Sequence, residues 1–75
     1  GQGGIVRAGV RKIAACRDMA EKLHLHSAVC THSGCEVAWN STEQCWDCSC
    51  HGSHFAPDGT VLNGPAVAPL QPVDS

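Results

Sequence analysis

The sequence predicts an all-β domain of short antiparallel strands, and three observations carry that expectation. Runs of only a few residues alternate with period two, as in Leu23-His24-Leu25-His26. Turn chemistry breaks the runs at short intervals, at Ala8-Gly9, Asn40-Ser41-Thr42-Glu43 and Asp58-Gly59. Pro57, Pro65, Pro69 and Pro72 punctuate the last third and confine any strand there to edges or short pieces.

Residues 5–10 and 12–17 read as the first two strands, about a tight break at Ala8-Gly9. Residues 18–22 supply the next turn, and 23–26 the third strand, with leucines inward and histidines outward. Residues 36–40 and 44–47 flank the polar turn 40–43, and Asp58-Gly59 leads into a last short strand over 60–63. A helix over 14–25 competes, because Ala, Arg, Met, Glu and Lys are good helix formers. There is no repeat, low-complexity tract or internal boundary, so 1–75 is expected to be one domain.

Seventy-five residues sit near the lower limit at which a hydrophobic core holds a fold alone. Trp39, Trp46 and Phe55 are the only aromatics, so the core must rest on Val, Leu, Ile and Ala. Six cysteines and five histidines point to a bound metal group, a disulfide or both as the missing stabiliser. A formal charge of −2 is too small to imply nucleic acid or a membrane surface as partner. Its distribution is uneven: Arg7, Arg11, Lys12, Arg17 and Lys22 all precede Leu23, and no Lys or Arg follows. The later part is therefore weakly acidic, which helps to choose a docking partner. No apolar stretch reaches transmembrane length and no signal peptide is visible, so membrane insertion by this segment is not expected. The chain opens on Gly1-Gln2-Gly3-Gly4 without Met, which reads as a piece of a larger protein.

Two segments carry the chemistry. Cys30-Thr31-His32 and Cys48-Ser49-Cys50-His51 each set a thiolate and an imidazole at hairpin-tip spacing, in loops that carry Gly34 and Gly52. Brought together, they make a site of two cysteines and two histidines. Zinc fingers space such ligands as C-x2–4-C and H-x3–5-H. C-x-H with C-x2-H is neither, which leaves structural zinc as the lesser alternative. A scaffold of disulfides alone leaves His32 and His51 unexplained.

The run CTHSGCEVAW, CWDCSCHGSHFAPDG and NGPAVAPL resembles the Rieske 2Fe–2S domain family over residues 28–70. The resemblance implies small antiparallel sheets, sandwich- or barrel-like, with two cluster-binding loops at one tip. Cys30 and Cys48 match the thiolates on one iron, and His32 and His51 the imidazoles on the other. Two ferric ions, two sulfides and two thiolates sum to no net charge, and neutral imidazoles add none. Replacing the imidazoles with thiolates would make electron uptake harder, which is why Rieske potentials run from about −150 to +300 mV against about −400 mV for plant-type ferredoxins.

The remaining positions follow the same resemblance. Cys35 and Cys50 match a disulfide that pins the two loops in the respiratory and photosynthetic type, shielded by loops packed over it. Gly64-Pro65-Ala66 matches the proline loop on a third side of the cluster. Ring-hydroxylating oxygenases lack that cysteine pair and read HGW where this chain has His51-Gly52-Ser53, which argues against a terminal oxygenase. High-potential members place a serine and then a tyrosine near a ligand sulfur. Here those cluster-tuning positions are Ser53 and Phe55, implying a potential below the respiratory type.

The respiratory subunit would carry a membrane anchor and larger insertions around the cluster. Residues 28–70 look most like the small Rieske module at the C-terminus of FAD-dependent oxidoreductases, although typical members have Pro where this chain has Ser49. That likeness implies a cytoplasmic flavoenzyme, with FAD in the rest of the parent protein and electrons passing between a flavoprotein domain and an external electron carrier. The alternative is a free-standing Rieske ferredoxin serving a separate oxygenase or reductase. No base or nucleophile constellation stands beyond the cluster ligands, so no catalysis is expected from these residues alone. Cys16 and Cys45 are expected to be buried free thiols, and His24, His26 and His54 to face solvent rather than bind metal. Trp39 and Trp46 are expected in the core on adjacent strands.

Overall fold

Turn residues set the first sheet. In the computed structural model, which describes residues 1–31, 34–50 and 52–73, strands β1 (Gly3–Ala8) and β2 (Arg11–Arg17) form a hairpin closed by Gly9-Val10. Gly9 has a φ of 66° there, a left-handed value that glycine adopts without a Cβ penalty. Asp18 makes the next turn by accepting hydrogen bonds at Oδ1 from the N–H groups of Ala20 (2.9 Å) and Lys22 (3.0 Å). The chain then returns as β3 (Leu23–Ser27), giving a three-stranded antiparallel sheet in the order β1-β2-β3.

The second sheet has four antiparallel strands in chain order: β4 (Val37–Asn40), β5 (Cys45–Cys48), β6 (His54–Phe55) and β7 (Val61–Asn63). Asn40 closes the β4–β5 turn, its Oδ1 accepting from the Glu43 N–H at 3.0 Å. Asp58 Oδ1 does the same for β6–β7, accepting from Thr60 N–H at 3.1 Å and Thr60 Oγ1 at 2.7 Å.

The all-β expectation holds, and no helix forms over 14–25. Two-sided pairing of β2 with β1 and β3 and the burial of Ala14 and Cys16 outweigh helix propensity, a weak preference beside packing. Among the described residues, no helix is long and apolar enough to cross a membrane. Strand β6, absent from the sequence reading, is too short to show a period. Its two residues pair with Trp46 and Asp47 of β5.

The core lies between the sheets, around Trp46, Phe55, Leu70 and Val37, which are fully buried. Trp39 and Trp46 are register partners, edge to face at 5.0 Å between ring centroids. The first sheet approaches closely: a Cβ on Gly3 would lie 2.6 Å from Trp39 Cδ2, so only glycine lets β1 rest on that indole.

The orientation of β3 reverses the expected one. Leu23 is exposed and His26 is buried at 7 % exposure, while His24 and His54 are partly buried rather than solvent-facing. The period-two alternation is as read, but its phase is inverted. His24 and His26 pair with Cys16 and Ala14, the two inward residues of β2. Those small side chains leave room for imidazoles. The C-terminal segment covers the outer edge of β3, with Ser27 N–H bonded to Gln71 O (2.7 Å) and Val73 N–H to Leu25 O (3.0 Å). Gly59 closes over the His26 ring.

Candidate metal centre

Two loops of like construction hold the cysteine pairs. In the first, Cys30 N–H donates to Cys35 O (2.7 Å) and Gly34 N–H to Cys30 O (2.9 Å). In the second, Cys48 N–H donates to Ser53 O (2.8 Å) and Gly52 N–H to Cys48 O (2.9 Å). Gly34 and Gly52 share left-handed φ values of 75° and 79°. Each cysteine thus starts a tight turn that its glycine completes.

Cys30 and Cys48 are 2 % and 1 % exposed and belong to one buried cluster with Trp46 and Val37. Thiolates in such a dry place need a metal or another charge partner. The donor chemistry therefore fits a thiolate-bound iron. His32 and His51, expected on the second iron, lie outside the described residues.

A disulfide joins Cys35 to Cys50, with 6.5 Å between their Cα atoms, and ties the first loop to the second. As whole residues Cys50 is exposed and Cys35 half-buried. The proline loop closes in through two hydrogen bonds that no local sequence signal marks. Ala66 N–H donates to the buried Ser53 Oγ at 3.0 Å, and Thr31 Oγ1 donates to Ala68 O at 2.6 Å. Accepting from Ala66 uses a lone pair of Ser53 and leaves its O–H proton to give. Phe55 is fully buried against Trp46.

Elsewhere, Cys16 and Cys45 are buried thiols outside any disulfide. Cys16 Sγ donates to Pro57 O at 3.4 Å. His24 Nε2 lies 2.8 Å from Asp18 Oδ2, and this imidazole contact is the main reason the Asp18 carboxyl is held below its usual range.

Comparison with known proteins agrees with this geometry. Residues 2–74 match the Rieske [2Fe-2S] domain family, and the chain belongs to it. It is similar to the putative Rieske 2Fe-2S iron-sulfur protein YhfW of Bacillus subtilis, with 50 % identity over 99 % of this chain and 14 % of that protein. It is also similar to the chloroplastic cytochrome b6-f complex iron-sulfur subunit of Bigelowiella natans, with 53 % identity over 60 % of this chain and 18 % of that one. The fold is similar to the crystal structure of the plasma membrane Rieske protein PetC3 of Synechocystis, with a TM-score of 0.83 and 28 % identity over 93 % of this chain and 72 % of that chain. The chain thus spans less than a fifth of the length of these two curated relatives. As a Rieske domain it is a one-electron carrier with a 2Fe–2S cluster.

Proposed function

We propose that Cys30 and Cys48 hold one iron of the cluster, that His32 and His51 hold the other, and that the domain passes single electrons to a separate protein carrier. The observation that supports this most is the paired construction of the two loops, each starting on a buried cysteine and tied by the Cys35–Cys50 disulfide. When bound, the cluster supplies reversible uptake of one electron. The chain's own residues bind and shelter it: the two loops position the ligands, and the segment carrying Ala66 and Ala68 is tied down over a third side by Ser53 and Thr31. The absence of Lys and Arg after residue 22 favours a carrier that presents a basic surface.

The likeness to cytochrome b6-f iron-sulfur subunits favours exchange with an external partner over the flavoenzyme context, which none of the relatives named above carries in its description. One observation keeps the module reading as a second: the relative matched along 99 % of this chain has 86 % of its own length outside the match. A cytoplasmic placement belongs to this proposal, and fractionation of source cells tests it.

The purified domain should carry two irons and two labile sulfides and become paramagnetic on one-electron reduction. Cys30→Ala and His51→Ala should each abolish that signal. A colourless protein holding zinc would refute the ligand assignment. Stopped-flow oxidation of the reduced domain by a basic c-type cytochrome, compared with an isolated flavoprotein, separates the two partner readings.

A further inference from the structure

Cys45, Asp47 and His54 gather on the face of the second sheet that points away from Trp46 and Phe55. Strand geometry puts them there. Cys45 and Asp47 are two apart on β5 and share a face, and Asp47 is the register partner of His54 on β6. Cys45 Sγ lies 3.2 Å from Asp47 Oδ1, and Asp47 Oδ1 lies 3.7 Å from His54 Nε2. All three donor atoms fall within 4.8 Å of one another. Around a tetrahedral zinc with a Zn–S bond of about 2.3 Å and Zn–N and Zn–O bonds of about 2.0–2.1 Å, neighbouring donors stand about 3.3–3.6 Å apart. Two of the three separations are already close to that.

We propose that Cys45, Asp47 and His54 form a second metal site, distinct from the cluster, that takes Zn²⁺ or another thiophilic divalent cation with water in the fourth position. The surroundings suit such an ion. Cys45 is 3 % exposed, whereas the side chains of Asp47 and His54 are 33 % and 34 % exposed. The soft sulfur therefore lies at a dry bottom and water enters from the open side. Asn40 Nδ2 donates to Asp47 Oδ2 at 3.0 Å and orients the carboxylate, leaving Oδ1 for the ion. One thiolate and one carboxylate balance the charge of a divalent cation.

Without an ion this thiol is protonated: burial first, and then Asp47, push it up to about 11. Binding transfers the Cys45 proton to solvent as the sulfur–metal bond forms. Strands β5 and β6 flank the loop that runs from Cys48 to Ser53, so an ion bridging them clips the base of one cluster loop.

The test is a titration of the purified, cluster-loaded protein with Co²⁺, followed by competition with Zn²⁺. One equivalent of Co²⁺ should bind beyond the cluster irons and give a thiolate-to-cobalt charge-transfer band in the difference spectrum, which one equivalent of Zn²⁺ removes. Cys45→Ser should abolish the band. His54→Gln, at a partly exposed position, should weaken binding by about tenfold or more while the cluster spectrum stays unchanged. No band in the wild-type protein, or a band that survives Cys45→Ser, overturns the site. The cluster's own absorption reports separately, so either result leaves the electron-transfer reading intact.

Discussion

Replacing Gly59 with alanine probes the contact that buries His26. Gly59 has a φ of 90°, and a Cβ there would lie 2.5 Å from His26 Nε2 and 2.7 Å from its Cδ2. Holding alanine in the left-handed region costs about 1–2 kcal/mol. Forcing a methyl group into a packed ring costs about 1–3 kcal/mol more. With an unfolding entropy of about 2.1 cal/mol/K per residue, the sum lowers the melting temperature of a domain this size by about 10–30 °C. Thermal unfolding of the cluster-loaded protein reads the shift. A double-mutant cycle then separates the two terms, since in a His26→Ala background the ring is gone and only the backbone cost of about 1–2 kcal/mol remains. An equal cost of Gly59→Ala in both backgrounds would refute the steric account, and a loss under about 0.5 kcal/mol would refute the backbone one as well.

Removing the disulfide with Cys35→Ser and Cys50→Ser, which frees a loop closed at a separation of 15, should cost about 3 kcal/mol and hasten cluster loss; guanidinium unfolding followed by cluster absorbance measures both. Burial holds the His26 imidazole below its ordinary pKa, ahead of the opposing pull of the Asp58 backbone. A base whose pKa is lowered on folding stabilises the fold above its unfolded value and loses that contribution as pH falls, so stability should decline as pH drops below about 6.5. The His26→Gln variant should lack this component in matched denaturant titrations at several pH values. A hydrogen bond to a charged ligand sulfur is worth about 1.5–3 kcal/mol, of which roughly a third separates the redox states. At about 59 mV per 1.4 kcal/mol for one electron, Phe55→Tyr should raise the cluster potential by tens of millivolts and Ser53→Ala should lower it similarly. An unchanged potential in Phe55→Tyr with the cluster intact would mean that this position does not approach a ligand sulfur. Ser53→Ala should also cost about 1–3 kcal/mol by leaving the Ala66 N–H without its acceptor.

Short-range chemistry was readable along the chain. Gly9, Asp18, Asn40 and Asp58 mark their turns because each satisfies or permits backbone geometry within a few residues. Strands β1 to β5 and β7 lie within two residues of their expected bounds for the same reason. The spacing of Cys30, His32, Cys48 and His51 pointed to the donor set proposed for the cluster, of which Cys30 and Cys48 lie among the described residues. Strand β6 was not readable, because two residues hold no period and its place depends on Trp46 and Asp47.

The sequence by itself determined that this is an all-β domain with two Cys/His loops, and its resemblance pointed to the family. Period-two alternation, turn residues and ligand spacing are all properties of neighbouring positions. Only the tertiary structure decided which face of β3 turns inward, because a strand's phase is set by its partners, here Ala14 and Cys16 across the register and Gly59 above. It also decided that Cys50 is exposed, that Ser53 holds the proline loop, and that Cys45, Asp47 and His54 meet. That last gathering joins residues on two strands through the cross-strand pair Asp47–His54, and no spacing along the chain announces it.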